Sequence, residues 1–172
     1  MTTATALPMN SRKFLAVVLV AGAVAAAGLY YKYRVAPSIA FPQLELTDLD
    51  GKPVSLNDVS GNNLFVSFFA TWCGPCVQEV PLLQNVRMQL AGNNFVFVLV
   101  SDESLPTLKR FAERSGTTLR IMHSKQKLKD LGIHTVPTNY LLNRQGKVVL
   151  EKVGTLEGSD VKIATEFIDL CR

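Results

Sequence analysis

The sequence predicts an α/β domain with helices on both faces of a mixed sheet, preceded by one long apolar segment. Three observations carry this. Two near-continuous apolar runs, "NLFVSFFA" at 63–70 and "FVFVLVS" at 95–101, have the composition of central strands buried on both faces. A helical pattern follows each run, so strands and helices alternate. A late strand pair around a tight turn makes the sheet mixed rather than wholly parallel.

The elements follow in order. Residues 1–13 form a short N-terminal segment. "FLAVVLVAGAVAAAGLYY", residues 14–31, is 18 residues without a charge, and as a helix it spans roughly 27 Å, about one hydrocarbon core. Tyr30, Tyr31 and Tyr33 with Lys32 and Arg34 suit a lipid–water boundary. This segment reads as a transmembrane helix; a cleaved signal peptide is the competing reading, because Ala25–Gly28 offers small residues to a peptidase. Residues 32–40 read as a linker, with Pro37 ending any helix. Leu44, Leu46, the Asp50–Gly51 turn, Val54 and Leu56 predict an N-terminal β-hairpin. After the first buried strand a helix is expected from Gly74 to Leu90, bent at Pro81. Ser104 opens and Gly116 closes a helix over "LPTLKRFAERS". Residues 118–122 are expected as a short strand, and Ser124 as the cap of the next helix. A hairpin turns at Asn143–Gly146. A last helix starts near Ser159 with Val161, Ala164, Ile168 and Cys171 on one face.

The net charge of +4 is local. Arg12, Lys13, Lys32 and Arg34 flank the apolar segment, and residues 36–172 hold 14 basic and 14 acidic side chains. No basic stripe exists to follow a phosphate backbone, so a nucleic-acid partner is not expected. Three cysteines are too few for a disulfide-stapled scaffold.

Two of them, Cys73 and Cys76, stand in Trp72-Cys73-Gly74-Pro75-Cys76, between the first buried strand and its helix. A structural zinc site wants four ligands, and only Cys171, His123 and His134 remain, scattered. An inert buried pair would not explain the Gly-Pro insert. Redox chemistry explains it. A sulfur opening a helix faces unsatisfied N–H groups and the positive end of the dipole, which favour thiolate. Cys76, one turn on, is placed to resolve a mixed disulfide on Cys73. Gly74 relieves crowding, and Pro75 sits where a missing N–H costs little.

These residues resemble the thioredoxin superfamily over residues 41–171. "FFATWCGPC" is similar to the strand-to-helix junction of thioredoxins, Pro81 to their helix-bending proline, "GIHTVPT" (132–138) to their cis-proline loop, and "KVGTL" (152–156) to the glycine turn beside it. The resemblance implies a thioredoxin-like mixed sheet, a cis Val136–Pro137 bond, Cys73 and Cys76 as a redox-active disulfide, and Pro137 as a catalytic-site residue. It also implies a substrate groove bordered by Trp72, Gly74, Pro75, Val136 and Gly154. The hairpin, the inserted helix and strand at 104–122 and the apolar segment together resemble the TlpA/ResA/CcmG-like group of membrane-tethered disulfide reductases. That likeness implies a single pass through the cytoplasmic membrane, a catalytic domain on the extracytoplasmic (periplasmic) side, and protein disulfides as substrates, such as apocytochromes during cytochrome c biogenesis. It also implies a membrane dithiol protein as electron donor, with no cofactor or metal. Glu79 matches an acidic position of the group, where a carboxylate tunes or relays the proton of the buried thiol; a solvent-facing helix residue is the other reading. Ser67 departs from the pattern, standing where cytoplasmic thioredoxins carry a buried aspartate.

Direction stays open, because related dithiols span roughly −270 to −120 mV. A disulfide oxidase or isomerase is the first alternative. A peroxiredoxin-type peroxidase lacks its Pro-x-x-x-Thr-x-x-Cys pattern here, and a tethered copper-binding module wants a wider cysteine spacing.

Overall fold

A computed structural model describes residues 11–59 and 61–171, so most of the expected segment 1–13 lies outside the described residues. The first element, α1 (Ser11–Arg34), extends three residues past the expected end at Tyr31. Within it Phe14–Arg34 is long and apolar enough to cross a membrane. Its side chains from Phe14 onward are exposed.

The domain then runs β1 (Leu46–Thr47), β2 (Pro53–Val54), β3 (Asn63–Phe68), α2 (Gly74–Gln89), β4 (Phe95–Ser101), α3 (Leu105–Ser115), β5 (Arg120–Ser124), β6 (Thr138–Leu142), β7 (Val148–Val153) and α4 (Asp160–Leu170). Short 3-10 helices lie at Phe41–Gln43, Leu56–Val59 and Leu128–Leu131. Among the described residues the strands form one seven-stranded sheet ordered β2-β1-β5-β4-β3-β6-β7. The β3–β4 and β4–β5 pairs are parallel, and the remaining pairs are antiparallel.

Both parallel crossovers step the same way along the sheet. Right-handed connections therefore put α2 and α3 on one face, where Val80, Leu83, Leu108 and Phe111 join Ile163 and Phe167 of α4 in one core. The opposite face is covered by the chain before β1 and by the 3-10 helices, through Phe41, Leu44, Leu56, Val59, Leu128 and Ile133. Strand alternation divides β3 between the two layers: Phe65 points into the first core, Leu64, Val66 and Phe68 into the second. The sheet is thus flanked on both faces, by α-helices on one and 3-10 turns on the other.

Several boundaries differ from the sequence reading, each for a local reason. The N-terminal hairpin pairs only Leu46 with Val54 and Thr47 with Pro53. Its turn is held by Asp48, whose carboxylate accepts the N–H groups of Asp50 and Lys52 at 2.9 Å each. Beyond it the Asp58 carboxylate accepts the Ser55 N–H at 2.9 Å, winding Leu56 into a 3-10 turn instead of extending the strand. The strand expected at 118–122 lies at Arg120–Ser124. Ser124 is its last residue rather than a helix cap; its hydroxyl donates to the Gln126 carbonyl, and Lys127 precedes the 3-10 turn. On α4, Phe167 packs against Phe65 and Phe97, so Ile163 and Ala164 turn inward while Val161 is exposed. The linker is not free chain. Ala36 and Ile39 pack on the second core, and the buried Tyr140 hydroxyl donates to the Pro37 carbonyl at 2.6 Å.

Candidate active site

The site is built where β3 gives way to α2. β3 pairs with both sheet neighbours up to Phe68. The Phe69 N–H still donates to the Val100 carbonyl of β4 at 2.9 Å before the chain leaves the sheet and turns into the helix. Cys73 is the N-cap of α2 with extended backbone, and its sulfur accepts the Cys76 N–H at 3.2 Å. A cap position normally taken by Ser, Thr, Asp or Asn is filled here by sulfur. Its charge as a thiolate would face the helix's positive end. The two sulfurs form a disulfide. Cys73 is 6% exposed and Cys76 3% exposed, whereas Trp72 just before them is 76% exposed. A large apolar ring in solvent beside a reactive sulfur suits contact with a substrate chain.

The loop opposite comes from the start of β6. The Val136–Pro137 peptide bond is cis, and the Val136 carbonyl oxygen lies 3.6 Å from Cys73 Sγ. Two contacts hold this loop. The Thr138 hydroxyl donates to the Thr135 carbonyl at 2.6 Å, and the Gly154 N–H donates to the Pro137 carbonyl at 2.8 Å. Gly154 has φ 95°, a conformation that side chains resist. Gly74 and Pro75 are exposed in the first turn of α2. The structure therefore brings Trp72, Cys73, Gly74, Pro75 and Cys76 together with Val136, Pro137 and Gly154.

Glu79 is 4% exposed, not on the solvent face of α2. Three residues past Cys76, it lies on the same helical stripe. Its Oε1 accepts the Leu156 N–H at 2.5 Å, and its Oε2 lies 3.4 Å from the Asn139 amide nitrogen, which also donates to the Gly154 carbonyl at 3.1 Å. Burial pushes the Glu79 carboxyl above its ordinary value, and the hydrogen bonds from Leu156 and Asn139 restrain the rise. A buried carboxyl whose pKa is raised in this way is a candidate to accept or give a proton beside the thiols. Ser67, buried in β3, is paired in register with Asn139.

Two residues of the site were not legible in the sequence. Asn139 is fully buried, and its Oδ1 has no protein partner among the described residues. Glu103 holds the turn ahead of the cysteines: its carboxylate accepts the Thr71 N–H at 2.6 Å and the Thr71 hydroxyl at 2.8 Å. An acid two residues past a buried strand end, in "VLVSDES", was its only signal. The histidines make their contacts with residues other than the cysteines. His134 is exposed, edge-on to Tyr33, and His123 is on β5, where Nδ1 is 3.4 Å from the Thr47 hydroxyl. Cys171 caps the C-terminus of α4, half-buried against the first core.

Comparison with known proteins bears on the family and the fold. The model of the Redoxin family matches residues 36–168. The thiol-disulfide oxidoreductase ResA of Geobacillus thermodenitrificans is 33% identical over 141 residues, covering 80% of each chain. ResA of Bacillus subtilis is 31% identical over 121 residues, covering 69% of this chain and 68% of the relative. Among solved structures, a thioredoxin-family thiol:disulfide interchange protein from Chlorobium tepidum superposes with TM-score 0.62 at 28% identity, over 80% of this chain and 97% of that one. StoA from Bacillus subtilis shares the fold at TM-score 0.59 and 22% identity, over 77% of this chain and 98% of its own.

Proposed function

The chain belongs to the Redoxin family and is a ResA-like thiol-disulfide oxidoreductase, and from that premise we propose that it is a membrane-anchored reductase of protein disulfides outside the cytoplasm. The observation that carries this is the Cys73–Cys76 pair at the N-terminus of α2, facing the Val136–Pro137 loop, with a buried carboxyl behind it. In the reduced form the Cys73 thiolate attacks a substrate disulfide, forming a mixed disulfide and releasing one substrate sulfur as thiolate. Cys76 then attacks Cys73 Sγ, closing the internal disulfide and freeing the second sulfur. Two electrons pass to the substrate, and two protons end on its thiols. Glu79, on the stripe of Cys76, is the group that takes the Cys76 proton as that sulfur becomes a nucleophile. The substrate lies extended between Trp72 and Val136–Pro137, pairing with exposed backbone.

The helix α1 serves as a single-pass anchor, supported by its length, its composition and the tyrosines and cations at its C-terminal end. A membrane dithiol protein resets the pair, and cysteine pairs of secreted proteins, including apocytochromes awaiting haem, are the substrate class. The test is the thiol state of Cys73 and Cys76 in intact cells, by acid quench and thiol trapping in a Cys171→Ser background. A mostly reduced pair in an oxidising compartment supports the reductase. A mostly oxidised pair replaces it with a disulfide oxidase.

A further inference from the structure

The end of α1 touches the active-site loop. The Thr135 hydroxyl donates to the Tyr33 carbonyl at 3.1 Å, and the Tyr33 and His134 rings meet edge-on with centroids 6.0 Å apart. Pro37 is fixed in turn by the Tyr140 hydroxyl at 2.6 Å and lies against Gly132, at the start of the same loop. Val136, next after Thr135, has its carbonyl oxygen 3.6 Å from Cys73 Sγ. Neighbouring residues thus contact the helix end and the reactive sulfur. With consecutive Cα atoms about 3.8 Å apart, the Cys73 sulfur lies within roughly 15 Å of the Tyr33 backbone, whatever the direction.

That helix end carries Tyr30, Tyr31, Lys32, Tyr33 and Arg34, the residue types that settle at a lipid–water boundary. The headgroup layer beyond the hydrocarbon is only about 5–8 Å deep on each side. Contacts at Tyr33 and at Pro37 leave Val35 and Ala36 little slack between helix and domain. We propose that α1 does more than tether the domain: it mounts the Cys73–Cys76 pair at the bilayer surface, within reach of cysteines presented at the lipid–water boundary. The inference rests on α1 spanning the membrane.

Trp72 is the chain's one tryptophan and precedes Cys73, so its fluorescence reports the height of the site. The full chain is reconstituted in phosphatidylcholine vesicles containing a dansyl-headgroup lipid, floated on a density gradient, and read for energy transfer from Trp72. An insertion of about 20 Gly/Ser residues between Val35 and Ala36 adds a flexible span of about 25 Å. The expected result is strong transfer in the natural chain and at least a twofold loss in the insertion variant, both floating with the vesicles. A natural chain that floats but transfers no better than the variant overturns the mounting and leaves the anchor standing. A chain that fails to float overturns both. Reduction of a small soluble disulfide by both proteins, measured alongside, tests the thiol chemistry separately from either.

Discussion

Glu79 is the residue whose burial asks most of its surroundings. Its carboxyl is desolvated, and two donors, Leu156 N–H and the Asn139 amide, compensate in part. Because its pKa in the folded protein lies above the ordinary 4.5, the folded state holds this proton more tightly than the unfolded chain. Its contribution to stability is complete below the ordinary value and is lost as pH rises through the raised one. Denaturant unfolding from pH 4 upward is therefore expected to show a decline that Glu79→Gln removes, since Gln keeps the Leu156 bond without the charge. The same substitution should slow disulfide reduction by roughly 10²-fold at neutral pH, the low end for general acid–base groups, with Cys73 alkylation little changed. At Glu103 the issue is geometry. Thr71 gives it two hydrogen bonds, and charge-assisted bonds of this kind are each worth about 1.5–3 kcal/mol. Glu103→Ala should cost about 3 kcal/mol, with a coupling above about 1 kcal/mol to Thr71→Val in a double-mutant cycle. Neither role follows from residue type alone. The acid three positions after Cys76 was visible as a motif, but whether it faced solvent or core depended on α2 packing against β6 and the 154–156 turn.

At the scale of elements, helix ends place the chemistry. Cys73 is the N-cap of α2 and Cys171 the C-cap of α4, so the two sulfurs sit at opposite poles of helix dipoles. Burial further pushes the Cys171 thiol up. In the reduced protein, iodoacetamide alkylation is expected to titrate Cys73 below about 8.5, the value of a free thiol, and Cys171 above it. Equal apparent values would mean that the helix ends do not act on the sulfurs. The β7 end matters in a different way. Gly154 at φ 95° gives its N–H to Pro137 and its carbonyl to Asn139. Gly154→Ala should cost about 1–2 kcal/mol for the left-handed backbone and lower the rate of substrate reduction as the Pro137 loop loosens. Unfolding curves and steady-state rates on one preparation check both. The central elements were legible because apolar runs and capping residues are local. The 3-10 turns at Leu56 and Leu128 were not, since Ser55, Asp58 and Ser124 bond nearby backbone groups in ways that compete with strand and helix alike.

For the whole molecule, charge and hydrophobicity are partitioned. The basic excess flanks α1, and residues 36–172 balance 14 basic against 14 acidic side chains. A version starting near Ala36 is expected to be water-soluble and to reduce a small soluble disulfide within about twofold of the full chain, because both cores lie within the domain. Sedimentation and a turnover assay check this, and aggregation would show that α1 contributes to the fold. Within the domain, the Tyr140–Pro37 bond holds the linker against β6. Its loss in Tyr140→Phe should cost about 1 kcal/mol, measured by unfolding.

The sequence by itself determined the alternation of strands and helices, the apolar segment with its charged flanks, and the cysteine pair between a buried strand and a helix. Each rests on periodicity, capping or spacing within about 20 residues, and such signals survive without knowledge of distant neighbours. Only the tertiary structure decided that α2 and α3 share a face and that Glu79 is buried against Asn139 and Leu156. It alone decided that Glu103 holds the cysteine turn and that the linker is clamped beside the active-site loop. Those contacts join residues 32 to 103 positions apart. They arise from crossover handedness and strand register, which no local pattern encodes.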